Sequence, residues 1–171
     1  MRNRGESIKG CKERGEWAEL CFMARAAEHG LRVSKPYGDS ASYDVGVESK
    51  GRFLRVQVKS TIYRRRGIES YSLNVSGPRR QLYRKGTVDF FAVYLIPIDA
   101  WYIIPFGDIG GSFSLHFTAG SKRQKYEKYR EAWHLLREAT GTRRLCPYKG
   151  AVPPCMRGGW CGKACGRSCG R

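Results

Sequence analysis

Residues 43–60, YDVGVESKGRFLRVQVKS, decide how this chain is read. Apolar and polar residues alternate with period two on either side of Ser49-Lys50-Gly51, the pattern of two half-buried strands joined by a tight turn. In the second strand Leu54, Val56 and Val58 point one way, and Arg55, Gln57 and Lys59 the other. An apolar face turned toward helices thus backs a polar face that holds an amide and an amine. Across the turn, Asp44 and Gly46 share that polar face, and Gly46 is expected to leave space beside the carboxylate. Asp44, Gln57 and Lys59 can therefore converge on a cleft at one end of the hairpin. A carboxylate and an amide oxygen suit a hard divalent cation. A neighbouring lysine can orient a phosphate or an attacking water, whose pKa a bound metal lowers.

Working outward, residues 12–29 place Trp17, Leu20, Cys21, Ala24 and Ala27 at helical spacing, with Gly30 as the stop. LRVSKPYGDS is a short strand that runs into a loop at Pro36 and Gly38, and YSLNVS is a further strand. SGPRRQLYRKG fits a short helix with Pro78 in its first turn. VDFFAVYLIP and WYIIPF are near-continuous apolar runs around IDA, as expected of central strands or a tight hairpin. SKRQKYEKYREAWHLLREA is expected to form one long final helix with Tyr126, Tyr129, Trp133 and Leu136 on a stripe. The order α-β-β-β-β-α-β-β-α describes an α/β protein, a mixed β-sheet flanked by helices.

Composition narrows the partner. The 171 residues carry 32 Lys+Arg against 15 Asp+Glu, a formal net charge of +17. Seven of the basic residues and none of the acidic ones lie beyond Gly141, which leaves 25 against 15, a net +10, on residues 1–140. A body that basic implies a polyanionic partner, first of all nucleic acid. No apolar stretch approaches the ~20 residues of a membrane span, and MRNRGESIKG lacks the apolar core of an export signal. These features predict a cytoplasmic or nucleoid-associated protein that engages no membrane. A boundary is expected near 140–145, between a domain spanning 1–140 and a Gly/Cys/Arg-rich basic tail over 141–171. Cys161, Cys165 and Cys169 recur every fourth residue, without the paired spacings of structural zinc sites. They read as exposed thiols on a flexible tail or as a metal knuckle.

The segments Gly15-Glu-Trp-Ala-Glu19, Tyr43-Asp44-Val-Gly-Val and Val56-Gln57-Val-Lys59 together resemble the PD-(D/E)XK nuclease superfamily, over roughly residues 10–110. More narrowly, they are similar to the branch that holds archaeal Holliday junction resolvases and group I intron homing endonucleases. The resemblance implies a restriction-endonuclease-like fold with an αβββαβ core. It also implies a metal-dependent DNA endonuclease that hydrolyses phosphodiesters by water attack. Asp44 would be the principal metal ligand, joined by the Gln57 side-chain oxygen, the Val58 backbone carbonyl and Glu19 of the first helix. Lys59 would contact the scissile phosphate or the nucleophilic water. Glu16, one turn earlier, rivals Glu19. The implied cofactor is Mg2+, with Mn2+ as its substitute. The implied partners are double-stranded or branched DNA and a second copy of the chain, as a homodimer or higher oligomer. Gln57 stands where most of the superfamily has an acidic residue, which removes one negative charge from the site.

Basic clusters mark the expected DNA surface: Arg64, Arg65 and Arg66 just past the catalytic strand, then Arg79, Arg80, Arg84 and Lys85, and a third group over 122–130. If ~6 of them reach phosphates, affinity falls roughly a thousandfold between 50 and 200 mM salt. Two other functions stay open at this stage. One is a catalytically silent DNA-binding module of the same fold; the other is a basic RNA-binding protein whose carboxylates are structural. His29, His116 and His134 show no metal or catalytic spacing and read as surface or packing residues.

Overall fold

The computed structural model describes residues 4–38, 40–65, 70–77, 81–109, 111–118, 120–121 and 123–138. The expected boundary near 140–145 and the Cys-rich tail lie outside them.

A five-stranded mixed sheet organises the domain. Helix α1 (Cys11–Glu28) precedes β1 (Arg32–Ser34), β2 (Val45–Ser49) and β3 (Arg52–Thr61). Then come β4 (Ser70–Asn74), β5 (Phe90–Leu95), β6 (Ala100–Pro105), α2 (Phe106–Ile109), β7 (Ser114–Thr118) and α3 (His134–Glu138). The sheet order is β1-β2-β3-β5-β6, with β4 and β7 paired apart as a two-stranded ribbon. All pairs are antiparallel except β3 with β5, where Gln57 faces Phe91 and Lys59 faces Val93. The β2–β3 turn is two residues long, and Lys50 and Gly51 both have positive φ (49° and 74°). That conformation matches the twist of the flanking strands and holds the register of the hairpin.

The sheet separates two apolar cores. On one face, α1 packs Ala18, Phe22 and Ala26 against Val45, Val47, Leu54, Val56, Val58, Ala92 and Trp101. On the other, the ribbon packs Tyr71, Leu73, Leu115 and Phe117 against Phe91, Val93, Leu95, Tyr102 and Ile104. The alternation in β3 and the unbroken apolar runs of β5 and β6 are realised as read, since β5 is buried on both faces.

Three expectations are corrected, and one strand was not anticipated. The buried stripe of α1 is Arg14, Ala18, Phe22 and Ala26, and Leu20 is exposed. Two alanines there let the helix approach the sheet closely, while Trp17 and Cys21 pack at its flank. The expected helix over SGPRRQLYRKG is absent at 81–84, where the chain is a loop; Pro78, Arg79 and Arg80 lie outside the described residues. The ribbon strand β7 was not read from the sequence at all. The long final helix is replaced by a 3-10 turn (Glu127–Tyr129) and the short α3. Glu131 is the reason. Its φ is +49°, its N–H donates to the Trp101 carbonyl (2.8 Å), and its carboxylate accepts from Trp101 N–H (2.7 Å) and Trp133 Nε1 (2.8 Å). Fastening this segment to the edge of β6 offsets the loss of helical hydrogen bonds.

Candidate active site

The site forms where β2 leaves β3. Asp44 lies one residue before β2, and its N–H still donates to the Val56 carbonyl (3.0 Å). Beyond it, among the described residues, β3 has no antiparallel neighbour on that side. The Val58 N–H, which faces the gap, donates to Asp44 Oδ2 instead (2.8 Å). Gln57 Nε2 donates to the same oxygen. In an extended strand the N–H and C=O of one residue face the same neighbour. The Val58 carbonyl therefore also faces the gap beside Asp44. Gln57 is buried, so its amide is committed to the cluster rather than to solvent.

Lys59 follows on the same face, with its ammonium 5.8 Å from the centre of the Tyr83 ring. Burial pushes the Lys59 pKa down, against the opposing pull of Asp44 and Glu19. Burial likewise pushes the Asp44 carboxyl up, and the Glu19 charge adds to the rise; the Val58 N–H, Lys59 and Gln57 work the other way. Both groups are thus biased toward neutrality, as expected when charged groups are largely buried without being paired off. Glu19 reaches the cluster from α1, within electrostatic range of Asp44 and Lys59. Its Oε2 takes the ammonium of Lys35 at 2.8 Å. Glu16 is exposed and acts on Lys35.

The structure therefore joins Asp44 to Gln57 and Val58 by hydrogen bonds and places Lys59 and Glu19 within electrostatic range of it. One expectation about their surroundings is corrected: the space at Gly46 is filled, since a Cβ there would lie 2.3 Å from the Phe53 ring and 2.7 Å from Ser34 Oγ. Gly46 admits the Phe53 side chain, not a ligand. Of the expected DNA-contacting residues, Arg64 and Arg65 are exposed beyond β3, and Arg84 and Lys85 are exposed on the loop that carries Tyr83. Arg66, like Arg79 and Arg80, lies outside the described residues.

Sequence reasoning missed Lys35, Tyr83 and Asp89. Tyr83 stands edge-on to Phe91 and over Lys59, and burial pushes its hydroxyl up to about 12. Asp89 holds the loop before β5 in place through Arg55, with Arg55 Nε to Oδ2 at 3.0 Å and Nη2 to Oδ1 at 2.9 Å. The only available signal was the arginine at 55 on the polar face of β3, which implied an acidic partner nearby.

Among the described residues no three His, Cys, Asp or Glu side chains stand close enough to hold a metal ion. An ion at this cluster must rely on amide and carbonyl oxygens as well as carboxylates. The donors present are of that kind: the Asp44 and Glu19 carboxylates, the Gln57 amide and the Val58 carbonyl. An all-oxygen set of this type fits a hard cation such as Mg2+ or Mn2+.

Residues 10–136 match the sequence profile of the PD-(D/E)XK endonuclease family. The fold is similar to that of a bacterial homing endonuclease, I-Ssp6803I, with a TM-score of 0.64 and 30% identity, over 75% of this chain and 92% of that one. It also aligns with Archaeoglobus fulgidus Hjc, a Holliday junction resolvase from an archaeal hyperthermophile. That match has 14% identity and a TM-score of 0.43, covering 66% and 87% of the two chains, and carries no further argument. No curated protein sequence matches the chain.

Proposed function

Because the chain belongs to the PD-(D/E)XK endonuclease family, we propose that it is a metal-dependent DNA endonuclease that hydrolyses phosphodiester bonds by water attack. The observation that carries this is the Asp44 carboxylate, drawn by the Val58 N–H and the Gln57 amide into a partly buried cluster with Lys59 beside it. Asp44, the Gln57 oxygen, the Val58 carbonyl and Glu19 would hold the divalent ion. When bound, that ion supplies a more acidic water and offsets the phosphate charge. Lys59 supplies a fixed positive charge, and an arriving phosphate relieves the cost of burying it. Gln57 has both an acceptor and donors on one planar group, so a turn of its amide presents the oxygen in place of the nitrogen. Arg64, Arg65, Arg84 and Lys85 hold the phosphate backbone and contribute little sequence information. Cutting both strands of a duplex requires two such sites, which we assign to a homodimer.

The test is supercoiled plasmid and branched DNA, each with Mg2+ or EDTA, using the parent protein, Asp44→Ala and Lys59→Ala. Metal-dependent nicking that both variants lose supports the reading. A second reading, a binding-only module, rests on the Gln57 amide, whose nitrogen rather than oxygen faces Asp44. Tight DNA binding by all three proteins without cleavage would establish it. Preference for structured RNA over DNA would remove both.

A further inference from the structure

The ribbon formed by β4 and β7 has an outer face that catalysis does not use. Its inner face, Tyr71, Leu73, Leu115 and Phe117, is buried against the sheet. The register places Ser72 opposite His116 and Asn74 opposite Ser114 on the outside. All four are exposed, and among the described residues none of these side chains has a hydrogen-bond partner. Neither strand contains an acidic residue. At the Ser70–Thr118 end the chain continues into Arg64 and Arg65 on one side and toward Arg123 and Lys125 on the other, all exposed. Thr61, two residues past Lys59, donates its hydroxyl to the Ser72 carbonyl (3.3 Å). The ribbon thus stands on the same face of the sheet as the cluster.

We propose that this ribbon enters the major groove of duplex DNA, where Ser72, Asn74, Ser114 and His116 read base edges and the flanking arginines grip the phosphates on either side. The B-form major groove is ≈ 12 Å wide and admits a two-stranded ribbon. Short uncharged donors and acceptors on a rigid platform discriminate bases, and an asparagine amide matches adenine in both its hydrogen bonds. The major groove of A-form RNA is too deep and narrow to be read by side chains. The proposal takes its substrate class from the nuclease reading but is tested without cleavage.

The experiment selects bound duplexes from a randomised library in Mg2+-free buffer, using Lys59→Ala as the parent and Asn74→Ala and His116→Ala added singly. Thermal melting confirms that each variant is folded. The parent should enrich a motif, and each added substitution should relax preference at one or two positions by about 5- to 150-fold, the value of a good base contact. Replacing purines at those positions with 7-deaza analogues should weaken the parent and leave the matching variant unaffected. Arg64→Ala should instead weaken binding evenly across sequences and lower the salt slope by about one. An identical motif from all three proteins, no motif from the parent, or tighter binding to structured RNA would overturn the assignment. Failure of the nuclease reading is a separate outcome, seen as uncut plasmid with the wild-type protein while the enrichment comparison still stands.

Discussion

Arg55 and Lys59 project from the same face of β3, four residues apart, and their surroundings are opposite. Arg55 places two nitrogens on the Asp89 carboxylate and a third on the Gly86 carbonyl. The backbone reinforces the pair, with Arg55 N–H to Asp89 Oδ2 at 2.8 Å and Asp89 N–H to the Arg55 carbonyl at 2.8 Å. Lys59 has no ion pair among the described residues; it faces an aromatic ring, and Asp44 is held by neutral donors. One locus turns all three of its guanidinium nitrogens onto acceptors inside the fold. The other keeps its charge in reserve, and burial biases it toward neutrality. Ionic residues on one strand can thus divide between holding the structure and waiting for a ligand.

The largest effects should fall on the second locus. Asp44→Asn and Lys59→Ala should each lower the nicking rate by about 10^2–10^3, the scale of losing a charge-stabilising group, with no loss of melting temperature. The first locus should show the reverse. Asp89→Ala leaves a partly buried guanidinium without its carboxylate and should cost about 1.5–3 kcal/mol in denaturant unfolding. It also frees the loop that carries Tyr83, Arg84 and Lys85, so KM should rise more than kcat falls. Equal loss of stability in both classes of variant would erase the distinction.

This division was half legible in the sequence. Asp44, Gln57 and Lys59 could be found because strand periodicity fixes which residues share a face, and Glu19 because a family pattern links helix to strand. Asp89 could not, since its pairing with Arg55 crosses 34 residues and depends on β5 lying parallel beside β3. Tyr83 was hidden by a stretch whose composition favours helix but whose chain is held in a loop. At Glu131 a positive φ and three hydrogen bonds to the tryptophan segments overrode local propensity in the same way. Periodic, locally encoded elements were readable; segments positioned by a distant partner were not.

A smaller effect comes from Asp44→Asn in metal-free buffer. Asparagine can still accept the Val58 N–H, so the variant removes the charge and keeps the shape. The Asp44 pKa is raised in the folded state, chiefly by burial. Between the unfolded value near 3.8 and the raised folded value, the native state therefore binds more protons, and stability falls as pH rises through that window. At neutral pH the variant should therefore melt above the parent, read as a positive shift in melting temperature. The gain should vanish below pH ~4, where Asp44 is protonated in both states. A variant that is inactive yet more stable is what a charge held for a ligand predicts.

The smallest effect tests how Glu19 is held before use. Its carboxylate is paired with Lys35 (2.8 Å), whose side chain is about half exposed, and the pair must open for Glu19 to join a cation. An exposed pair of this kind contributes about 0.2–1 kcal/mol. Lys35→Ala should therefore tighten Mg2+ binding only about 1.5- to 5-fold by calorimetry on DNA-free protein. Removing a positive charge would itself favour a cation, so the single variant does not isolate the contact. The cycle with Glu19→Gln does. If Lys35 acts by occupying the Glu19 carboxylate, the gain from Lys35→Ala should largely disappear once that carboxylate is an amide. If the gain is the same in both backgrounds, Lys35 acts only through its field. Glu16 would then be the carboxylate to examine, and the cluster would rest on Asp44 and the two oxygens of β3.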